Sequence, residues 1–392
     1  MYSHDTFGLG HLRRCREIAH ALVGEIKGLH ILIVSGSSIA GAFDFRARVD
    51  FVKIPSVIKL YNGDYRSLAE HIDLNDTLEM RRRIIQSTAE TFRPDIFIVD
   101  KEPLGMRGEL EPTLVMLKFM GCRLVLGLRE VLDAPEQVEA EWARTGALDT
   151  IERLYDAVWI YGCSRFWHPL TGLDLAAPVR ERTHFMGYLR RRVPQHQTTR
   201  IGHVLPSEFI LVTAGGGGDG APLMRQVLAA AAYAGTRATP LVLVLGPFMV
   251  QEDRDEIQKL ARPLPYVHIV DFDNQIETSM TRATAIVAMG GYNTFCEILS
   301  FDKRALLVPR THPRREQLVR AKRAAELGLA DFVTEPEAND PQFMAGALDA
   351  LTRRPLPSQS GARTDLSGLD RIAATVQGAL NGVAPESLMA VN

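Results

Sequence analysis

Short apolar runs recur along the whole chain, and most are followed by a segment with helical spacing. In the first half they are His30–Val34, Ile96–Val99, Arg123–Leu128, Ala157–Tyr161 and, more weakly, His184–Met186. In the second half they are Phe209–Thr213, Leu241–Leu245, Val267–Val270, Ala285–Ala288 and Ala305–Val308. Residues that are apolar at consecutive positions suit strands buried on both faces, the environment of a parallel sheet. Between them lie helix-like segments such as Leu12–Leu22, Leu78–Thr91, Met224–Ala234 and Gln317–Leu327. This alternation predicts doubly wound α/β folding.

At 392 residues the chain is long enough for two such units, taking ~150 residues per domain. The stretch Leu189–Pro206 is polar, contains two prolines and has no sustained period, so it reads as a linker. The expected division is an N-terminal Rossmann-like domain over 1–190, a linker over 191–206 and a second domain over 207–364. The segment 365–392 would carry a helix, Leu369–Leu380, returning to the first domain, and a frayed tail.

Charge and cysteine content narrow the function. Lys and Arg number 45 against 47 Asp and Glu, a net charge of −2. A polyanionic partner such as nucleic acid is disfavoured, and any phosphate should be met by a local site. The four cysteines, Cys15, Cys122, Cys163 and Cys296, are too far apart for a metal knuckle and too few for a disulfide scaffold. The longest strongly apolar stretch, Leu241–Val250, falls short of the ~20 residues that span a bilayer, and the N-terminus lacks a signal-peptide pattern. A cytoplasmic protein is expected. Peripheral contact with the inner membrane face stays open, with Arg81–Arg83 and Arg190–Arg192 as basic candidates; the alternative is that both are solvated faces.

Four loops carry chemistry. Gly8-Leu9-Gly10-His11 opens a helical pattern, so His11 would stand at a helix mouth as a general base or phosphate ligand; the alternative is a plain tight turn. Gly215–Gly218, inside Ala214–Gly220, follow a strand and precede a helix, the arrangement of a diphosphate cradle. A plain connection would not need four glycines, since each costs chain entropy. The loop lacks the Gly-Lys-[Ser/Thr] ending of a P-loop, so ATP hydrolysis is disfavoured. Gly290 and Gly291 lead into Tyr292–Glu297, where Asn293 or Thr294 would cap a helix. Glu297, in about its first turn, would hold a vicinal diol or compensate the helix dipole. Val308–Gln317 supplies His312, Glu316 and Gln317, suited to sugar hydroxyls or to a solvated helix start.

In this joint order the loops resemble the donor half of two-domain GT-B glycosyltransferases. They are most similar to the family of the N-acetylglucosaminyltransferase that completes the lipid-linked peptidoglycan precursor. Within it the chain looks like a bacterial branch with a YSHDTFGLGHLRR start and a DKEPLG segment, here Tyr2–Arg14 and Asp100–Gly105. The resemblance implies a GT-B fold of two Rossmann-like domains facing across a cleft. It also implies transfer of a sugar from a nucleotide diphosphate-sugar, UDP-linked, to an acceptor it does not identify, with inversion and without a bound metal or other cofactor. Gly215–Gly218 would take the diphosphate, Phe272 would cover the base and Asp273 would read its edge. Gly290 and Gly291 would lie at the phosphates, Glu297 at the ribose, and His312, Glu316 and Gln317 at phosphate and donor sugar, with Asn293 a further donor-binding residue. The related pattern often has glutamine where Glu316 stands, which leaves the donor sugar open. Gly8, Gly10 and His11 match the acceptor-side loop, with Leu9 where the family usually has glycine.

Asp100, Glu102, Arg129 and Glu130 follow strand signals and are further acceptor-side candidates; the alternative for Arg129 and Glu102 is a structural ion pair. His4 and Asp5 are candidates too. Asp-x-Asp occurs at Asp253–Asp255 and Asp271–Asp273, and neither reads as a metal site. A hydrolase or 2-epimerase of the same fold, or a non-catalytic sugar-nucleotide binder, remain the alternatives. Finally, Met1–Ser3 are too few for a central strand, which normally takes ~5–6 residues, so the first strand is expected to be nearly absent: either it is truncated in this chain or the natural protein begins upstream.

Overall fold

A computed structural model describes residues 1–4, 9–59, 65–69, 71–193, 205–235 and 239–382. Most of the expected linker and the tail beyond Gly382 lie outside the described residues, as do Asp5 and Gly8. The chain forms two compact units, one of Met1–Leu189 with the residues from Asp365 onward, the other of Arg190–Thr364.

The first unit holds strands β1 (Tyr2–Ser3), β2 (Ile31–Ser35), β3 (Val49–Lys53), β4 (Val57–Lys59), β5 (Tyr65–Ser67), β6 (Ile96–Asp100), β7 (Arg123–Arg129), β8 (Ala157–Tyr161) and β9 (Thr183–Phe185). Seven of them make one parallel sheet in the order β3-β2-β1-β6-β7-β8-β9, while β4 and β5 form a separate antiparallel pair. The first strand is short, as expected, yet it is present and central: Tyr2 pairs with Val34 on one side and Val99 on the other. On one face Tyr2, Val34, Phe97, Val99, Leu124 and Leu126 pack with Ile85 and Ala89 of the helix Leu74–Phe92. That helix starts four residues before the expected Leu78, because the Asp73 carboxylate accepts from the Asn75 N–H and caps it. The helix Gly368–Leu380 packs against the helix Gly10–Glu25 in this same unit. Its entry is tight: a Cβ on Gly368 would stand 2.6 Å from the Gly187 oxygen, so only glycine fits.

The second unit holds β10 (Ile210–Thr213), β11 (Leu241–Val244), β12 (Val267–Val270), β13 (Ala285–Ala288), β14 (Arg304–Leu307) and β15 (Asp331–Phe332). They form one parallel sheet in the order β12-β11-β10-β13-β14-β15. Val212, Leu243 and Val287 lie in register, completely buried or nearly so, beneath Met224 and Val227 of the helix Ala221–Ala234 and Met344 of the helix Pro341–Leu351. Burial on both faces is what the consecutive apolar residues require.

Both sheets are doubly wound, so each has a switch point where the strand order reverses. In the first it lies between β1 and β6, in the second between β10 and β13. Loops leaving the carboxyl ends of strands at such a point diverge and leave a crevice in which ligands bind.

Candidate active site

At the first switch point stand His11 and Asp100. His11 is the second residue of the helix Gly10–Glu25, and Asp100 is the last residue of β6. Their side chains meet, His11 Nδ1 to Asp100 Oδ2 at 2.5 Å. Arg14, one helical turn on from His11, grips the same carboxylate with two N–H groups, Nε to Oδ1 at 2.7 Å and Nη2 to Oδ2 at 2.6 Å. Arg14 and Asp100 are buried, and the His11 side chain is 15% exposed. Burial pushes the Asp100 carboxyl up, but the charges of Arg14 and His11 outweigh it and hold the group well below the usual carboxylate range. Burial draws the His11 pKa down, and Arg14 adds to that effect against the opposing Asp100 charge.

These shifts define the chemistry. An ionised carboxylate only accepts, so the neutral imidazole carries its proton on Nδ1 and leaves Nε2 as a base. His4 lies edge-on to His11, with ring centroids 5.7 Å apart, and is itself buried, its pKa lowered to about 3 by burial. A neutral His4 next to His11 adds no charge there at neutral pH. Glu102 pairs with its neighbour Lys101 at 2.6 Å. Arg129 ends β7, Glu130 beside it is completely buried, and Gly10 is the first residue of its helix.

Neither arginine run offers a uniform basic surface. Arg81 is completely buried and bidentate on Glu109, at 2.7 and 2.6 Å, while Arg82 and Arg83 pair with Glu79. Arg191 is buried as well, bonded through Nη2 to Asn293 Oδ1 at 2.8 Å. The Arg81–Glu109 pair also takes the Tyr2 hydroxyl, which donates to Glu109 Oε1 at 2.5 Å.

At the second switch point the glycine loop follows β10, and its composition has a structural reason that the sequence reading did not supply. Gly215 and Gly217 have φ of 66° and 86°, and a Cβ on Gly217 would stand 2.2 Å from the Leu245 oxygen. The loop packs backbone to backbone on the turn after β11, where Phe248 N–H donates to the Gly216 oxygen at 3.0 Å. The helix behind it starts at Ala221 with no side-chain cap and no acidic residue in its first turn. Its end thus keeps the partial positive charge that favours a phosphate.

The segment after β14 reaches this loop. Arg310 bonds Asp219 through Nη1 and Glu316 Oε1 through Nη2 at 2.8 Å, and its N–H donates to Gln317 Oε1 at 3.1 Å. Glu316 and Gln317, expected at sugar hydroxyls, are therefore engaged in holding Arg310. Arg310 and Asp219 were not singled out from the sequence, although both lie inside quoted loops; nothing local signals a pair 91 residues apart. His312 is exposed, with Thr311 Oγ1 3.2 Å from its Nδ1.

Gly290, with φ of 81°, is tied from its oxygen to Arg320 Nη1 at 3.0 Å, and the completely buried Arg320 guanidinium also lies over the Tyr292 ring. Arg320 too escaped the sequence reading. The helix Tyr292–Ser300 is preceded by Gly291 and has no side-chain cap, so neither Asn293 nor Thr294 caps it. Asn293 instead accepts from Arg191. Glu297 is buried and lies in the second turn, beyond the free N–H groups, which removes helix-dipole compensation as its role. Phe272 is half-buried. Asp273 accepts from the Gln275 N–H at 2.9 Å and the Ser279 hydroxyl at 2.8 Å. The other Asp-x-Asp carboxylates are engaged by protein groups as well: Asp253 with Arg225, Asp255 with Gln251, Asp271 with Arg254.

The glycine loop after β10, the uncapped helix at Ala221 and the buried Glu297 after β13 are thus all supplied by one unit. Residues 209–375 match the glycosyltransferase family 28 C-terminal domain. The chain is similar to this family over those residues. Two curated relatives carry the name UDP-N-acetylglucosamine–N-acetylmuramyl-(pentapeptide) pyrophosphoryl-undecaprenol N-acetylglucosamine transferase. The one from Rubrobacter xylanophilus is 26% identical over 136 residues, 34% of this chain and 38% of the relative. That from Haemophilus influenzae strain PittEE is 26% identical over 103 residues, 26% of this chain and 29% of the relative. The chain thus spans only 38% and 29% of the length of these two curated relatives. Solved structures extend the likeness beyond the family 28 domain. The calicheamicin glycosyltransferase CalG4 superposes with a TM-score of 0.63 at 17% identity, covering 98% of both chains. Acinetobacter baumannii MurG gives 0.55 at 14%, covering 94% of this chain and 93% of its own. A putative UDP-N-acetylglucosamine 2-epimerase from Listeria monocytogenes gives 0.63 at 11%, covering 97% and 96%. The fold is GT-B.

Proposed function

We propose that this protein is a glycosyltransferase that moves a sugar from a UDP-linked donor to an acceptor hydroxyl, with His11 as the base. The observation that carries the reading is the His11–Asp100 pair at the switch point of one unit, in a chain whose residues 209–375 match the glycosyltransferase family 28 C-terminal domain. His11 Nε2 would take the acceptor proton as the hydroxyl attacks the anomeric carbon. Asp100, ionised and held by Arg14, would stabilise the imidazolium that forms and keep its tautomer. The diphosphate leaving group would be stabilised by the backbone of Gly215–Gly218 and the helix end at Ala221, with Arg310 released from Asp219 and Glu316 as a cation for it. Glu297 would bind the ribose, Phe272 would cover the base, and Gly290 and Gly291 would let the phosphates approach. Attack from the face opposite the diphosphate gives inversion. No helix among the described residues is long and apolar enough to cross a membrane; placement in the cytoplasm, with contact at the inner membrane face where a lipid-linked acceptor would lie, belongs to this proposal.

The 2-epimerase of like fold supports a second reading, in which the same donor site serves a sugar nucleotide without an acceptor. One experiment separates them. The protein is incubated with UDP-sugars, with and without a panel of hydroxyl acceptors including lipid-linked ones, and products are identified by mass. UDP release that depends on acceptor supports transfer. An epimer or free sugar formed from donor alone overturns it.

A further inference from the structure

Beside the His11–Asp100 pair, the first unit holds a second buried carboxylate built on the same plan. Glu109 accepts two N–H groups from Arg81, Nε to Oε2 at 2.7 Å and Nη2 to Oε1 at 2.6 Å, as Asp100 does from Arg14. The remaining Arg81 nitrogen, Nη1, donates to the Pro55 oxygen at 2.7 Å. Each carboxylate also bonds one ring group: His11 Nδ1 at Asp100, and at Glu109 the Tyr2 hydroxyl, 2.5 Å from Oε1. The Tyr2 oxygen in turn lies 3.5 Å from His4 Nδ1. The His4 ring then meets the His11 ring at an interplanar angle of 79°. Arg81, Glu109, Tyr2 and His4, none more than 5% exposed, thus form one series that ends on His11.

The direction of these bonds fixes the protons. A carboxylate paired with a guanidinium only accepts, so the Tyr2 hydroxyl commits its proton to Glu109. Toward His4 it presents a lone pair. A neutral His4 therefore carries its proton on Nδ1 and none on Nε2. Burial keeps it neutral, lowering its pKa to about 3. Besides one another, the charged groups facing His4 are Glu102, Lys101 and Arg81, and those facing His11 are Asp100, Arg14 and Lys101. Stability alone is a poor reason for the Arg81–Glu109 pair. Desolvating two charges costs about what their attraction returns, and apolar side chains of equal volume would serve as well. Its effect on Tyr2 and His4 is a better one. Hydrogen bonds in series polarise one another, so the negative Glu109 makes the Tyr2 oxygen, and through it the His4 ring, richer in electrons. Such a ring favours positive charge on His11, whereas a protonated His4 would oppose it.

We infer that His4 is a positioning residue for His11, and that Tyr2, Glu109 and Arg81 act through it. Tyr2 fixes the His4 proton on Nδ1, which holds that ring edge-on to the base and leaves an electron-rich neighbour for the imidazolium. Glu109 and Arg81 in turn fix Tyr2. The bearing on turnover rests on the reading of His11 as the base. The tautomer of His4 and its effect on the titration of His11 do not.

Tyr2→Phe tests this, because the ring stays and Arg81 keeps its two bonds to Glu109. The parent chain and the variant, both carrying nitrogen-labelled histidine, are titrated by NMR. Expected in the parent chain at neutral pH is a His4 protonated on Nδ1. Expected in the variant are a shift of His4 toward the Nε2–H tautomer and a His11 midpoint lower by ~0.5 pH unit, the size of a lost hydrogen bond. Turnover of the proposed transfer should fall ~3–10-fold with the donor KM unchanged. A His4 protonated on Nε2 in the parent chain overturns the inference. So does a variant in which the tautomer or the His11 midpoint is unchanged, whatever its melting temperature, since a purely structural role would move stability alone. If Tyr2→Phe does not fold, His4→Phe takes its place: it keeps a neutral ring but ends the series, and the same lower His11 midpoint is expected. An unshifted His11 there overturns the inference. The NMR readouts need no substrate. A shifted His11 in a protein without transfer activity therefore breaks the sugar-transfer reading and leaves the series standing.

Discussion

In the first unit the switch point between β1 and β6 is furnished with ionisable side chains, His11, Asp100 and Arg14, all largely buried. In the second unit the switch point between β10 and β13 is furnished mainly with backbone, in Gly215–Gly218 and Gly290–Gly291, steadied by Arg310 and Arg320. The same α/β frame thus supports two kinds of site. In the proposed reaction the second site would hold a diphosphate, which has the same charge and geometry whatever sugar it carries, so a rigid cradle of N–H groups shaped by glycines would suit it. In the proposed reaction a proton would be moved at the acceptor, which needs a side chain whose charge state is set by its neighbours.

The largest expected effect separates the two sites outright. His11→Ala should lower turnover ~10²–10⁴-fold while leaving UDP affinity unchanged in calorimetry, because the base acts in the chemical step. An equal loss of UDP affinity with no separate loss of turnover would move His11 to the phosphate side and erase the division of labour.

Gly217→Val asks the opposite question. Its φ of 86° and the 2.2 Å approach to Leu245 leave no room for a side chain, so the second unit should lose ~3 kcal/mol or more in a denaturant melt, and UDP binding with it. Wild-type stability would mean that the loop relaxes freely and is no cradle.

Glu297→Ala should weaken UDP binding by ~1–3 kcal/mol through lost charged hydrogen bonds, with the fold intact by circular dichroism. Unaltered affinity would release Glu297 from the ribose.

The smallest effect belongs to the first unit and to pH. Burial lowers the Met1 amine from 8.0 to about 6. A base whose folded pKa is depressed binds fewer protons folded than unfolded between those values, so its stabilising contribution is complete above pH 8 and lost as pH falls toward 6. A decline of about 1 kcal/mol in stability is expected between pH 8 and pH 7 from urea melts. The slope should vanish when the Met1 amine is acetylated. A slope unchanged by acetylation would assign it to another group. His4, lowered to about 3 by burial, adds a further loss below pH 6.5 with the same sign.

Much of the architecture was legible because central parallel strands are buried on both faces and announce themselves as apolar runs. The strands missed were those without that constraint. Val49–Lys53 at the sheet edge reads only partly buried, the antiparallel pair β4 and β5 lies outside the main sheet, and Asp331–Phe332 is two residues long. Helix starts were less legible, since Asp73 caps Leu74–Phe92 ahead of any apolar periodicity.

The sequence by itself determined two doubly wound units and the loops at their strand ends, because strand–helix alternation admits few other solutions and glycine-rich turns are local signals. It also singled out His11, Asp100 and Glu297. Only the tertiary structure joined His11 to Asp100 across 89 residues and set Arg14 on the same carboxylate. It alone drew Arg310 to Asp219, sealed Arg81 against Glu109, and gave the two-residue β1 its central place. The reason is physical: periodicity and turn chemistry act over a few neighbouring residues, whereas a buried charge finds its partner through whatever the sheet order brings beside it. Parallel connections place sequence-distant strand ends next to one another, and no local pattern records which ones.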